Sequence, residues 1–193
     1  DLCFSIKSNE VIGFLGLNGA GKSTTLKILA CLLEASTGEV IIDGVNLATA
    51  AVSFRSKIGF LPEDPPLYKD MTVTEFLVYL GQLRGQSKSE TIAAIPTVIQ
   101  KCQLQGKEHQ IIAELSLGYR KRVGIAQAII HNPKMVILDE PISGLDPYQI
   151  VEMRDVIKNL AKEATVLLSS HNLTEVAETC DRLLVLHDGK LIA

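Results

Sequence analysis

Tryptophan is missing from the 193 residues, and aromatics make up only 5% of them. Nor is there an uncharged apolar stretch of about 18 residues, so no segment reads as a membrane-spanning helix. Charge of one sign is also in short supply. Lys plus Arg number 19 against 22 Asp plus Glu, and a net charge of -3 offers no general attraction for nucleic acid or an anionic lipid surface. No nucleic-acid partner is expected. The four cysteines, Cys3, Cys31, Cys102 and Cys180, form no C-x-x-C pair, and no Cys/His pair stands at zinc-ligand spacing. Neither a disulfide framework nor a zinc site is indicated, and a reducing compartment fits. No basic stretch followed by an apolar run opens the chain, so no secretory signal is read. The chain starts at Asp1 and ends inside a strand-like run, 190–193, as a piece of a longer protein does. What is present is apolar enough to fold: AVILMFWYC residues are 47% and mean hydropathy is +0.23, too high for disorder. The length fits a single domain, 1–193, or one core with a sizeable insertion.

Short apolar runs alternate with amphipathic segments, the pattern of a largely parallel sheet covered by helices. Strands are expected over 11–15, 39–42, 58–61, 135–138, 165–169 and 182–186, and helices over 21–33, 73–84, 89–102, 117–131 and 148–162. Thr72-x-x-Glu75 has the form of a capping box opening the second helix. Pro96 predicts a break or kink near Ile95, because it removes an intrahelical hydrogen bond. From 72 to 110 the periodicity is helical without a convincing strand, which marks a candidate insertion.

Gly16-Leu17-Asn18-Gly19-Ala20-Gly21-Lys22-Ser23 matches G-x-x-x-x-G-K-[ST] between an expected strand and an expected helix, where a phosphate loop has to lie. Glycines let backbone N–H groups turn inward around phosphate oxygens, and the helix N-terminus adds its positive dipole end. Asn18, Gly19, Ala20 and Gly21 are thereby expected to cradle the phosphates and Lys22 to reach the β and γ groups. The Ser23 hydroxyl is placed for Mg²⁺, with Thr24 behind it. No Asn-Lys-x-Asp guanine-reading sequence occurs, which argues against a GTPase.

A second constellation lies at 135–141, where the apolar run Met135-Val136-Ile137-Leu138 ends in Asp139-Glu140-Pro141. Both acids then sit at a strand end, where a parallel sheet has its ligand crevice. Successive side chains point to different sides of a strand, so the two acids divide the work. Asp139 is expected to hold Mg²⁺, directly or through water, and Glu140 to polarise a water against the γ-phosphate.

At this point the chain resembles the nucleotide-binding domain of ATP-binding cassette (ABC) ATPases, in the family's order and over nearly its whole length. Ile58-Gly59-Phe60-Leu61-Pro62-Glu63 is similar to the Q-loop segment, with Glu63 where the name-giving Gln stands. Leu115-Ser116-Leu117-Gly118-Tyr119 is similar to the LSGGQ signature, keeping Ser116 and Gly118. Ser143-Gly144-Leu145-Asp146 matches the D-loop, and His171 the switch histidine.

The resemblance implies an α/β fold with a P-loop NTPase core, over about 1–70 and 132–193, and an inserted mainly helical subdomain over about 71–131. It implies an ATP hydrolase that uses ATP and Mg²⁺, with Lys22, Glu140 and His171 catalytic and with Ser23, Asp139 and Glu63 at the metal. It further implies a head-to-tail dimer with a second nucleotide-binding domain, identical or different, whose ATP is contacted in trans by Ser116 and Gly118. The expected setting is cytoplasmic, on the inner face of the membrane through transmembrane permease subunits. Leu61-Pro62-Glu63 and the signature variant are similar to exporter-type members. A non-transport ABC ATPase acting on ribosomes or DNA, and a regulatory nucleotide-binding cassette, remain as alternatives. The basic run Arg120, Lys121, Arg122 reads as a solvated helix face, Cys31 as a core thiol on an apolar helix position, and Phe4, in a strand-like run 2–6, as core. His109, His131 and His187 match no motif and read as surface or structural.

Overall fold

A computed structural model describes residues 2–192. Its main sheet has six strands: β1 (Val11–Leu15), β4 (Ile58–Leu61), β5 (Met135–Leu138), β6 (Thr165–Ser170), β7 (Arg182–His187) and β8 (Lys190–Leu191). The order across the sheet is β4-β5-β6-β1-β7-β8, parallel throughout except for the antiparallel edge pair β7-β8. β8 accounts for the first part of the strand-like run 190–193, whose last residue, Ala193, lies outside the described residues.

The central strands are short apolar runs because the sheet is covered on both faces. Along them, alternate side chains enter two separate cores. Val11, Val136, Leu138, Val166 and Leu168 join one core. It is closed by side chains of α3 (Val73–Leu83), α4 (Lys88–Lys101), α5 (Leu117–Ile129), α6 (Pro147–Leu160) and α7 (Leu173–Thr179). Ile12, Phe14, Met135, Ile137 and Leu167 join the other, against Leu26 and Leu29 of α1 (Lys22–Leu29) and Phe54 of α2 (Ala51–Ser56). Phe4 is half-buried on this second core, its ring centroid 6.0 Å from that of Phe14. The run 2–6 alternates in burial as a strand does, yet carries no ladder.

Several boundaries differ from expectation. The helix expected over 21–33 ends at Leu29, because Cys31 takes a left-handed conformation (φ 61°) that stops it. Cys31 is therefore a half-buried residue just past the helix end rather than a helical core position. The strand expected over 39–42 shrinks to β2 (Ile41–Ile42), which pairs antiparallel with β3 (Val45–Asn46). Asp43 (φ 50°) and Gly44 (φ 72°) form the two-residue turn, the Asp-Gly hairpin geometry. α4 runs on through Pro96 without interruption. Pro96 lies on the exposed side of the helix, where carbonyls already lean toward water, so the lost bond is cheap there. Both helices of this region start at a complete capping box, Thr72 with Glu75 and Ser87 with Glu90.

Candidate active site

β5, β6 and β1 are adjacent parallel strands, so the segments that follow them lie side by side at the sheet end where a parallel sheet has its ligand crevice. After β1 the chain turns sharply at Gly16, where a Cβ would come 2.6 Å from the carbonyl oxygen of Leu186. It enters α1 through Gly21, whose φ of 103° suits glycine alone. The Gly189 N–H ties the loop down by donating to the Ala20 carbonyl at 3.0 Å. Lys22 is buried at the start of α1, its Nζ folded back to donate to the Gly16 (2.6 Å) and Leu17 (3.2 Å) carbonyls. Asn18, Gly19, Ser23 and Thr24 are exposed at the loop surface, and Ala20 is buried. The ammonium is thus held over the loop by backbone oxygens that a bound anion would replace or share.

Ser23 Oγ lies 3.5 Å from Asp139 Oδ1, bringing the hydroxyl that opens α1 to the carboxylate that ends β5. Ser169, at the end of β6, fixes both acids of the pair. Its Oγ donates to Asp139 Oδ1 at 2.6 Å and accepts from the Glu140 N–H at 2.9 Å. Glu140 has φ 49°, a left-handed backbone unusual for a residue with a long side chain, and its carboxylate is buried. One oxygen, Oε1, stands 3.1 Å from His171 Nδ1, and the other, Oε2, is buried with no partner among the described residues. A buried oxygen left open costs stability unless a ligand or water completes it.

The structure brings Lys22, Ser23, Asp139, Glu140 and His171 together. Glu63 it leaves exposed just beyond β4, without a hydrogen bond among the described residues. β4 pairs with β5 up to Leu61 and Leu138, and the Asp139 N–H donates to Leu61 O at 2.8 Å, so the segment carrying Glu63 runs beside Asp139. Ser116 and Gly118 do not join the crevice within this chain. Ser116 caps α5 by accepting from the Tyr119 N–H, and Gly118 lies under Gln149 of α6. With Asp146, Tyr148 and Glu152 they line an open groove on the surface.

The basic run departs most from expectation. Lys121 and Arg122 are buried, not solvated. Lys121 Nζ donates to the Glu140 and Ser143 carbonyls, each at 2.8 Å. Arg122 pairs with Glu152 of α6, donates to the Gln103 carbonyl, and lies 5.2 Å from the Tyr119 ring centroid. Ser169 has no motif of its own; the sign of it in the sequence is the polar Ser169-Ser170 ending of an otherwise apolar strand.

The sequence model of the family described as "ABC transporter" matches residues 1–143. An uncharacterized ABC transporter ATP-binding protein of Methanocaldococcus jannaschii is 39% identical over 193 residues, covering 100% of this chain and 69% of its own length. The bacitracin transport ATP-binding protein BcrA of Bacillus licheniformis is 38% identical over 193 residues, covering 99% of this chain. The chain spans 62% of that relative. A solved structure of the ATP-binding subunit of an ABC transporter superposes with a TM-score of 0.85 at 34% identity, over 100% of this chain and 81% of its own.

Proposed function

The chain belongs to the ABC transporter family of ATP-binding cassettes, an ATP-binding and ATP-hydrolysing family, and from that premise we propose which residues bind and cleave ATP and what the cleavage drives. The observation that carries the reading is the convergence, at the C-terminal ends of β1, β5 and β6, of the Lys22 loop, the Ser23–Asp139 pair and the Glu140–His171 pair. Asn18, Gly19, Ala20, Gly21 and Lys22 cradle the β and γ phosphates, with Ser23 and Thr24 at the first turn of α1. Glu140 accepts the proton of the attacking water, and His171 orients the carboxylate and touches the γ-phosphate.

The oxygen donors suit Mg²⁺, a hard ion that keeps several waters and takes only one or two carboxylates besides phosphate. Among the described residues no three His, Cys, Asp or Glu side chains cluster into a full protein cage, and such an ion needs none. Ser23 and Asp139 would hold it, with Glu63 approaching from the β4 side. When bound, Mg²⁺ offsets charge on the triphosphate and its leaving oxygen.

In the same reading Ser116 and Gly118 face outward because their ATP belongs to a second nucleotide-binding domain. The exposed N-terminus of α5 supplies N–H groups and dipole for a γ-phosphate in trans. ATP closes the dimer, and loss of the γ-phosphate opens it. The core comprises about 1–70 and 132–193, and the helical subdomain about 71–131. No helix of the described residues is long and apolar enough to cross a membrane. In this reading permease subunits supply the membrane path, and the cassette sits on the cytoplasmic face. Bacitracin transport by a relative 38% identical supports a transport role, and the Leu61-Pro62-Glu63 and signature variants support the export branch. Affinity purification of the tagged full-length protein from detergent-solubilised cells tests this. A multi-spanning membrane protein in stoichiometric amount supports transport, whereas ribosomal or DNA-bound proteins would overturn it.

A further inference from the structure

Glu140 holds a left-handed backbone conformation, φ 49°, that is strained for a residue with a long side chain and persists only where its surroundings over-determine it. Two side chains do so here, one on each side of the residue. Ser169 of β6 accepts the Glu140 N–H at 2.9 Å, and Lys121 of α5 donates to the Glu140 carbonyl at 2.8 Å. The same Lys121 Nζ reaches Ser143 O at 2.8 Å, at the head of the segment 143–146 that ends in Asp146, the cap of α6.

Lys121 is 5% exposed, and its burial lowers its proton affinity. The carboxylates of Glu63, Glu140, Asp64 and Glu175 act in the opposite direction. A buried amine without such partners would be costly, so its place has to be explained by what it holds.

We propose that Lys121 is a positioning residue for hydrolysis: its ammonium ties the backbone of Glu140 and the 143–146 segment to helix α5. This rests on the reading of Glu140 as the base. Ser116, the group assigned to the partner's γ-phosphate, caps α5, and Lys121 lies about 1.4 turns further along the same rigid helix. Movement of α5 on engaging the partner's nucleotide therefore reaches Glu140 through one side chain. The base of one site becomes responsive to occupancy of the other. Leu117 also lies close over the tethered segment, since a Cβ added at Gly144 would come 3.3 Å from its Cδ2.

The test is a double-mutant cycle on the full-length protein, combining Lys121→Met with Glu140→Gln and reading ATP affinity and turnover separately. Met keeps the length and removes the donors. K121M is expected to lower kcat about 10- to 100-fold, the scale of a base misplaced by about an ångström, with ATP affinity changed less than about threefold. In the E140Q background it should lower the residual turnover no further, because the group it positions is already gone. K121Q, which keeps two N–H donors on one nitrogen, should recover part of the loss, and it carries the same criteria if K121M fails to fold. Wild-type turnover in K121M would overturn the proposal. So would a loss of ATP binding as large as the loss of turnover, or an equal further loss in the E140Q background, because both mark a merely structural residue. Full turnover by E140Q alone sinks the assignment of the base instead, which keeps the two failures apart.

Discussion

His171 Nδ1 stands 3.1 Å from Glu140 Oε1, so a half-exposed imidazole at the end of β6 holds one oxygen of a buried carboxylate whose other oxygen is open. The imidazole fixes where Oε2 points. His171→Ala should therefore leave ATP bound but lower turnover by about 10- to 100-fold, less than the roughly 10² to 10⁴ carried by a general base. Separate measurement of kcat and of ATP affinity checks this, and a variant that loses affinity but keeps kcat contradicts it.

Ser169 satisfies two buried groups at once, the Asp139 carboxylate and the Glu140 N–H. Ser169→Ala leaves both without that partner, at about 1–3 kcal/mol for each buried group left unmade. Thermal unfolding should show a midpoint several degrees lower, and turnover should fall more than the stability loss alone explains. An unchanged midpoint would mean that water replaces the hydroxyl at no cost.

Glu63 is exposed beside the Asp139 end of β5, where a carboxylate attracts a divalent ion more than an amide does. Glu63→Gln is expected to raise the Mg²⁺ concentration that gives half-maximal turnover. A titration of Mg²⁺ at fixed ATP reads this directly, and superimposable curves for the two proteins refute it.

His131, past the end of α5, donates its Nε2–H to the Ile58 carbonyl at 3.0 Å. Burial, with the nearby Arg84 charge, pushes its pKa down from 6.5 to about 4, and the bond to Ile58 opposes that only in part. The unfolded chain therefore takes up this proton as pH drops through about 6.5, while the folded chain refuses it until about 4. The contribution is intact above that window and drains away as pH falls through it. His131→Gln keeps a donor without a titration, so its stability should fall less than that of the wild type between pH 6.5 and 5. Parallel denaturant midpoints for the two proteins over that range would contradict the assignment.

What the sequence reveals of this fold follows the range of the interactions. β1, β4 and β5 were readable to the residue, because a strand buried on both faces is a short apolar run bounded by turn residues. The phosphate loop and the acid pair were equally plain, since each is a contiguous string with its chemistry inside it. β3, α2 and α7 escaped, because they have only two, six and seven residues and too few positions to show a period. The burial of Lys121 escaped for another reason. Its partners lie 19 and 22 residues further along, and a helix pattern carries no record of which distant carbonyls turn toward it. Ser169 meets Asp139 across 30 residues and is invisible for the same cause.

The assignment of Glu140 as the base of an ATP-hydrolysing site is tested most directly by phosphate release and ATP binding, measured side by side for the wild type and Glu140→Gln in the presence of Mg²⁺. The account predicts ATP affinity within a few-fold of the wild type and turnover lower by about 10² to 10⁴. Turnover close to that of the wild type in Glu140→Gln would contradict it.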